Sequence, residues 1–184
     1  MGLSSFIVAG TPGAGKTTVL SKVKMRNIKI VNFGDEMLKH ANVQDRDKMR
    51  YLPAEKQNEI SRKVVDALSR RKGTLVIDTH LSIKQGPMYL PGFSLKELKK
   101  LNVKGLLYID ADSKEIIKRR EKDKTRKREV EDEAELNMQR LINLAIMASA
   151  SAELDIPIYI FKNREGRADD VAKEVENTIK GLIK

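Results

Sequence analysis

The sequence contains no cysteine and no tryptophan. Without cysteine there is no disulfide framework and no thiolate metal site. Aromatic residues make up only 4% of the chain, too few for the stacking platforms that hold single-stranded nucleic acid. No RNA-recognition aromatic pair and no zinc-finger spacing occurs. The histidines, His40 and His80, are too few and too far apart for a histidine-based metal site. No run is long and apolar enough to cross a bilayer. The first apolar segment begins almost at once, which leaves no room for a signal peptide. The expectation is a cytoplasmic protein with no membrane segment.

What is present fits one folded domain. The 184 residues are 40% hydrophobic and 34% charged, enough to bury a real core and unlike a disordered chain. The formal charge is +10. Such a balance suits either nucleic-acid phosphates or small polyanionic ligands. The cations are densest in one run, Lys118 to Arg128, which favours the second and makes nucleic acid the less expected partner.

The chain is organised around Gly10-Thr11-Pro12-Gly13-Ala14-Gly15-Lys16-Thr17, the phosphate-binding pattern G-x-x-x-x-G-K-[ST] without a mismatch. Apolar Leu3 to Ala9 predicts a buried strand before it. Thr18 to Lys24, with Val19, Leu20 and Val23, predicts a helix after it. Glycines let backbone N–H groups converge on a phosphate, and the helix N-terminus adds the positive end of a dipole. Lys16 then reaches the β- and γ-phosphates of ATP, and the Thr17 hydroxyl ligates Mg²⁺.

Downstream, strands and helices alternate. Ile28 to Asn32 is a second strand, followed by Phe33-Gly34-Asp35 and a short helix, Glu36 to His40. Pro53 opens a helix to about Arg71, with Gly73 as its C′ residue. Thr74 to Asp78 is the clearest central strand. Thr79 to Phe93 reads as a Gly- and Pro-rich loop. Ser94 and Glu97 form a capping box. Gly105 to Ile109 is the next strand, ending at Asp110. A long helix from Glu131 to Leu154 is expected to turn Leu136, Leu141, Leu144 and Ala148 inward. Pro157 to Phe161 is the last strand, and Ala168 to Ile183, with Val171, Val175 and Ile179, the last helix. This is an α/β pattern: a parallel sheet of five strands with helices on both faces. Ligands then bind beyond the carboxyl ends of the strands, where the phosphate loop, Gly34-Asp35 and Asp78 all lie.

Two acids end apolar strands. Asp78 leads into the Gly/Pro loop and is the better Walker-B candidate, holding Mg²⁺ through water. Asp110 leads into a helix cap and is the rival. The basic run sits after the fourth strand, where a short lid would close. Arginine suits that place, because its planar fork bonds two phosphate oxygens and never loses its charge. No guanine-specifying N-K-x-D and no D-x-x-G switch is present. A small-molecule kinase fits best. A hydroxyl acceptor, as for shikimate or dephospho-coenzyme A kinases, would need a base such as Asp35. An ATP-dependent nucleic-acid-binding factor is the reading from a different class. Phosphate transfer to AMP, set beside salt-dependent RNA binding, separates these.

At the level of motifs the chain resembles the archaeal type of adenylate kinase. The resemblance rests on G-T-P-G-A-G-K-T-T at 10–18, F-G-D-E-M at 33–37, D-R-D-K-M-R at 45–50 and I-D-T-H at 77–80. Y-L-P-G at 89–92, T-R-K-R at 125–128 and A-I-M-A-S-A-S-A at 145–152 complete it. The resemblance implies a P-loop kinase fold and ATP + AMP ⇌ 2 ADP with Mg²⁺, in a cytoplasmic homotrimer. It adds Thr18 to the phosphate loop, places the nucleoside monophosphate under an insertion of about 35–71, and gives a short lid of about 123–131. Arg119, Arg126 and Arg128 resemble lid arginines, joined by Arg140. The wider kinase pattern G-F-P-R after the third-strand acid is missing here. The AMP side is therefore spread over Gly34, Asp35, Arg46, Arg50, His80, Lys84 and Arg140.

Overall fold

Residues 3–9 send successive side chains to opposite faces, as any strand does, and nearly all of them are buried. Both faces therefore need cover, and the rest of the chain supplies it. A computed structural model describes residues 2–41, 43, 48–49, 51–122 and 131–183. Its strands are β1 (Leu3–Ala9), β2 (Ile28–Asn32), β3 (Gly73–Asp78), β4 (Ser82–Gln85), β5 (Met88–Pro91), β6 (Val103–Asp110) and β7 (Ile158–Lys162). Its helices are α1 (Lys16–Ser21), α2 (Phe33–Leu38), α3 (Ala54–Ser69), α4 (Leu95–Lys100), α5 (Ser113–Lys122), α6 (Glu133–Leu154) and α7 (Ala168–Leu182).

Five strands form one parallel sheet in the order β2-β3-β1-β6-β7. The expected architecture is observed. On one face Phe6 and Val8 pack with Val19 and Leu20 of α1 and with Val171, Val175 and Ile179 of α7. On the other, Ile7 and Ala9 pack with Ile60, Val64 and Leu68 of α3, Leu98 of α4 and Met147 of α6. Each Val or Ile so buried contributes about 1.5–3 kcal/mol. From β1 the chain crosses to β2 and β3 on one side, and later reaches β6 on the other, so a crevice opens at the carboxyl end of β1. No helix among the described residues is long and apolar enough to cross a membrane.

Local chemistry sets the element ends. Ser94 with Glu97 caps α4, and Asp132 with Glu135 caps α6, each as a reciprocal capping box. Asn32 accepts from the Asp35 N–H at the start of α2.

Four expectations change. First, α1 starts at Lys16 and stops at Ser21; the helix takes over directly from the loop glycine. Second, α3 ends at Ser69 and Gly73 opens β3 instead of closing the helix. Third, the segment 79–93 is no plain loop: it holds the antiparallel pair β4–β5. Its Gly86-Pro87 is the two-residue turn of a hairpin, and Pro91 ends an edge strand where no N–H is needed. Fourth, α6 turns Leu136, Gln139, Asn143, Met147 and Ala150 inward, whereas Leu141 and Ala148 are exposed. Two polar residues occupy its buried stripe, so apolar spacing alone picks the wrong face.

The backbone of Gly92 donates to the Leu81 carbonyl at 2.7 Å, and a Cβ at Gly92 would overlap the His80 carbonyl oxygen. Gly92→Ala is expected to destabilise the fold by about 1–3 kcal/mol. Gly181→Ala lies in α7 with open space around it and should add about 0.5 kcal/mol through helix propensity. Urea unfolding of both variants checks the contrast; equal midpoints would refute it.

Candidate active site

The loop from Gly10 to Gly15 is closed by the Ala14 N–H bonding the Thr11 carbonyl at 2.9 Å. Gly13 and Gly15 have φ of 98° and 87°, backbone that a side chain rarely adopts. Its outer carbonyls are bonded. Arg120 donates to the Pro12 carbonyl from Nε at 2.9 Å and from Nη2 at 2.7 Å. The Ala14 carbonyl accepts from Arg119 Nη1 at 3.1 Å and Asn163 Nδ2 at 2.7 Å. In a trans peptide the N–H points away from its C=O. The Gly13 and Gly15 N–H groups therefore face the opposite side, toward the concave surface suited to an anion. The +0.5 end of α1 adds to it.

Lys16, at the first position of α1, pairs with the Asp78 carboxylate. Both are buried. Strand register explains the meeting: Val8 of β1 lies beside Asp78 of β3, and Asn32 of β2 lies beside Asp78 on the far side. Asn32 Nδ2 donates to Asp78 Oδ2 at 2.9 Å. Two neighbouring strands and the first turn of α1 thus deliver one polar group each to a single point. Thr17 and Thr18 are exposed at the start of α1, and Pro12 is half-buried.

Asp110 ends β6 and has another role. Its Oδ2 accepts from Arg140 at 2.6 Å and Lys162 at 2.7 Å, and its Oδ1 is buried without a hydrogen bond. Arg140 is thereby held at the carboxyl edge of the sheet. Arg119 reaches the back of the phosphate loop, where it also bonds the Asn163 carbonyl and Glu115 at 2.9 Å each. Lys84, on β4, pairs with Glu131 at 3.0 Å and Glu135 at 2.9 Å. Glu135, with Glu131 beside it, holds the Lys84 ammonium well above the ordinary lysine range against the effect of burial. Burial raises the Glu131 carboxyl, but hydrogen bonds from Arg120 and Lys84 outweigh it and hold the group below the usual carboxylate range. Gly34 and Asp35 form the first turn of α2, next to Asn32, and His80 is half-buried just past Asp78. Arg46, Arg50, Arg126 and Arg128 lie outside the described residues.

Three residues that back the site escape a reading of the sequence. Arg120 is indistinguishable from its neighbours in a basic run. Asn163 reads as a turn residue. Tyr108 reads as one more apolar strand position, yet its hydroxyl meets Thr11 Oγ1 at 2.9 Å. A phenol at the interior of a strand is the one signal available, since a buried hydroxyl needs a partner.

The donor set of Asp78 and Thr17 suits Mg²⁺, which keeps several waters and takes one or two carboxylates together with substrate phosphates. Among the described residues no cluster of three or more acidic, histidine or cysteine side chains forms a dedicated protein cage for a metal.

This loop on this sheet defines a P-loop nucleotide-binding protein, and residues 9–137 match the family described as an AAA domain. Shikimate kinase from Acinetobacter baumannii superposes with a TM-score of 0.63 at 20% identity, over 97% of this chain and 94% of that one. The shikimate kinase of Aquifex aeolicus gives 0.60 at 16%, over 96% of each chain. Those likenesses are of fold alone. In sequence, the chain is 34% identical over 187 residues to the adenylate kinase of Pyrobaculum aerophilum, covering 96% of this chain and 95% of the relative. It is 33% identical over 180 residues to that of Methanothermobacter thermautotrophicus, covering 94% and 97%. The chain belongs to the adenylate kinase family that these archaeal proteins represent.

The two acids should separate in experiment. Asp78→Asn is expected to lower maximal turnover about 10–100-fold and to raise the Mg²⁺ concentration needed for half-maximal rate, as loss of a water-mediated metal partner does. Asp110→Asn should leave the Mg²⁺ midpoint in place. It should instead cost about 1–3 kcal/mol of stability, a few degrees in Tm. Magnesium titrations and thermal melts of both variants check this; equal magnesium shifts would overturn the assignment.

Proposed function

We propose that this chain catalyses the reversible, Mg²⁺-dependent transfer ATP + AMP ⇌ 2 ADP in the cytoplasm. One observation carries the reading: an unbroken phosphate loop whose lysine faces the terminal acid of the neighbouring strand, in a chain about one-third identical to adenylate kinases along nearly its whole length. The loop N–H groups and Lys16 bind the β- and γ-phosphates of ATP. Thr17 and Asp78 hold Mg²⁺, which, when bound, neutralises charge on the triphosphate. An acceptor that is already a phosphate needs no general base, so catalysis is positioning and charge neutralisation.

The chain is read as one kinase domain, 1–184. The segment 35–71, with the end of α2 and all of α3, is proposed to cover AMP. Gly34, Asp35 and His80 are its candidates among the described residues, with Arg46 and Arg50 beyond them. Arg126 and Arg128 are proposed arginines of a short lid at 123–131. Arg140, aimed by Asp110, is proposed to meet a phosphate. Lys84 is the weaker acceptor ligand, since two carboxylates already hold it.

A homotrimer belongs to the same proposal. The outer face of α6 supports association: Met138 and Leu141 are 52% and 60% exposed, and Ala145 and Ala148 lie on the same stripe. Small residues there allow another helix close approach.

Lys16→Met is expected to lower ADP formation from ATP and AMP by about 10³-fold, with the far-UV circular dichroism of a folded chain and a lower melting temperature, since Asp78 loses its partner. Near-normal turnover would remove this loop from the reaction. For the assembly, sedimentation equilibrium at micromolar concentration should give three times the chain mass. Leu141→Glu should shift it to monomer, and a wild-type monomer would contradict the assembly.

A further inference from the structure

Two consecutive residues of the phosphate loop are tied to one strand of the small hairpin by separate chains of side chains. Along the first, Ser82 Oγ donates to Asn143 Oδ1 at 2.7 Å, and Asn143 Nδ2 donates to Tyr108 Oη at 3.4 Å. Tyr108 Oη lies 2.9 Å from Thr11 Oγ1. All four residues are almost wholly buried. Along the second, the Pro12 carbonyl accepts from Arg120, Arg120 pairs with Glu131, and Glu131 pairs with Lys84. Ser82 and Lys84 are two apart on β4 and so point to the same face.

The first chain has a direction. A carboxamide oxygen can only accept, and its NH₂ can only donate. Ser82 gives its proton to Asn143, and Asn143 gives one to the Tyr108 oxygen. The proton of Tyr108 is then left for Thr11. With Tyr108 as donor, the Thr11 proton is available to another acceptor, on a loop whose Gly13 and Gly15 N–H groups face the anion side. Burial raises the Tyr108 hydroxyl above its ordinary value, with hydrogen bonds to Thr11 and Asn143 opposing, so the phenol keeps that proton to donate.

We propose that Ser82, Asn143 and Tyr108 are positioning residues for the triphosphate: they aim the Thr11 hydroxyl at it as a donor and make the β4–β5 hairpin part of the phosphate site. This rests on the loop being the ATP site of the kinase proposed above. Arg120, Glu131 and Lys84 act in parallel on the next residue of the loop. The hairpin begins at Ser82, four residues past Asp78.

The 3.4 Å link is the longest, and the experiment is aimed at it. The full chain with Mg²⁺ is titrated with a fluorescent ATP analogue, and KM for ATP and for AMP is measured separately. Tyr108→Phe and Thr11→Val should each weaken analogue binding about threefold to tenfold, the range of one net hydrogen bond. Thr11→Ser, which keeps the hydroxyl, should stay within about twofold of the wild type. Ser82→Ala should weaken binding about twofold to fivefold. The double variant Ser82→Ala with Tyr108→Phe should be no worse than Tyr108→Phe alone, because both break one chain. KM for AMP should hold. Ser82→Ala binding like the wild type, or effects of the pair that multiply, overturns the proposal. So does a loss of melting temperature with analogue affinity intact, which marks a structural role only. Should Tyr108→Phe fail to fold, Thr11→Val with Ser82→Ala decides by the same non-additivity. A wild-type chain that binds the analogue but makes no ADP from ATP and AMP refutes the kinase reading and leaves the binding test standing; one that binds no analogue overturns both.

Discussion

The structure depends on one buried ion pair, Lys16 with Asp78. An unpaired ammonium or carboxylate in that place would cost several kcal/mol. The pair forms only if β1 and β3 are neighbours in the observed register, since a slip of one residue turns Asp78 to the other face of the sheet. The two apolar layers hold that register by burying alternate residues of β1 and β3 on opposite sides. Asn32 from the next strand occupies the second carboxylate oxygen. On the proposed function, a phosphate arriving at the loop would compete with Asp78 for Lys16 and leave that acid to the metal. One contact thus orders the point where β2, β3 and α1 meet.

Net positive charge takes a more specific form here than bulk attraction. Arg119 and Arg120 come from the densest basic run, yet both turn their guanidinium groups to carbonyls on the outer side of the phosphate loop. Hydrogen bonds from charged donors are about twice as strong as neutral ones. They hold the left-handed glycines and leave the matching N–H groups facing the anion side. The arginines thereby shape the loop through its backbone. Lys84, Glu131 and Glu135 extend this order to the hairpin and to the first turn of α6.

Much of this was legible in the residues. The phosphate loop, the five-strand pattern, the capping box of Ser94 and Glu97, and the buried face of α7 at Val171, Val175 and Ile179 are all local signals, and the fold honours them. Asp78 was distinguishable from Asp110 only by the segment after it, a Gly/Pro stretch in one case and a helix cap in the other. The illegible parts are those decided at long range. Gly86 and Pro87 look the same in a loop and in a hairpin. The inward face of α6 carries Gln139 and Asn143, so its apolar spacing points outward to Leu141 and Ala148. Asn143 makes sense only once Tyr108 and Ser82 are placed beside it. Arg119 and Arg120 are adjacent in a charged run, and only the fold shows that each meets a different loop carbonyl.

The order of the sheet also bears on how the chain is made. β1 sits in the middle, and its partners lie far along the sequence: Leu3 is matched with Gly73, and Ser5 with Val103. During synthesis β1 emerges well before either neighbour, at roughly 5–20 residues per second. The phosphate loop next to it cannot acquire its backing until residues past Arg120 have left the ribosome, and Asn163 comes later still. Each nascent copy therefore carries an unpaired apolar strand for several seconds, and the loop gains its full backing only after Asn163 has been made.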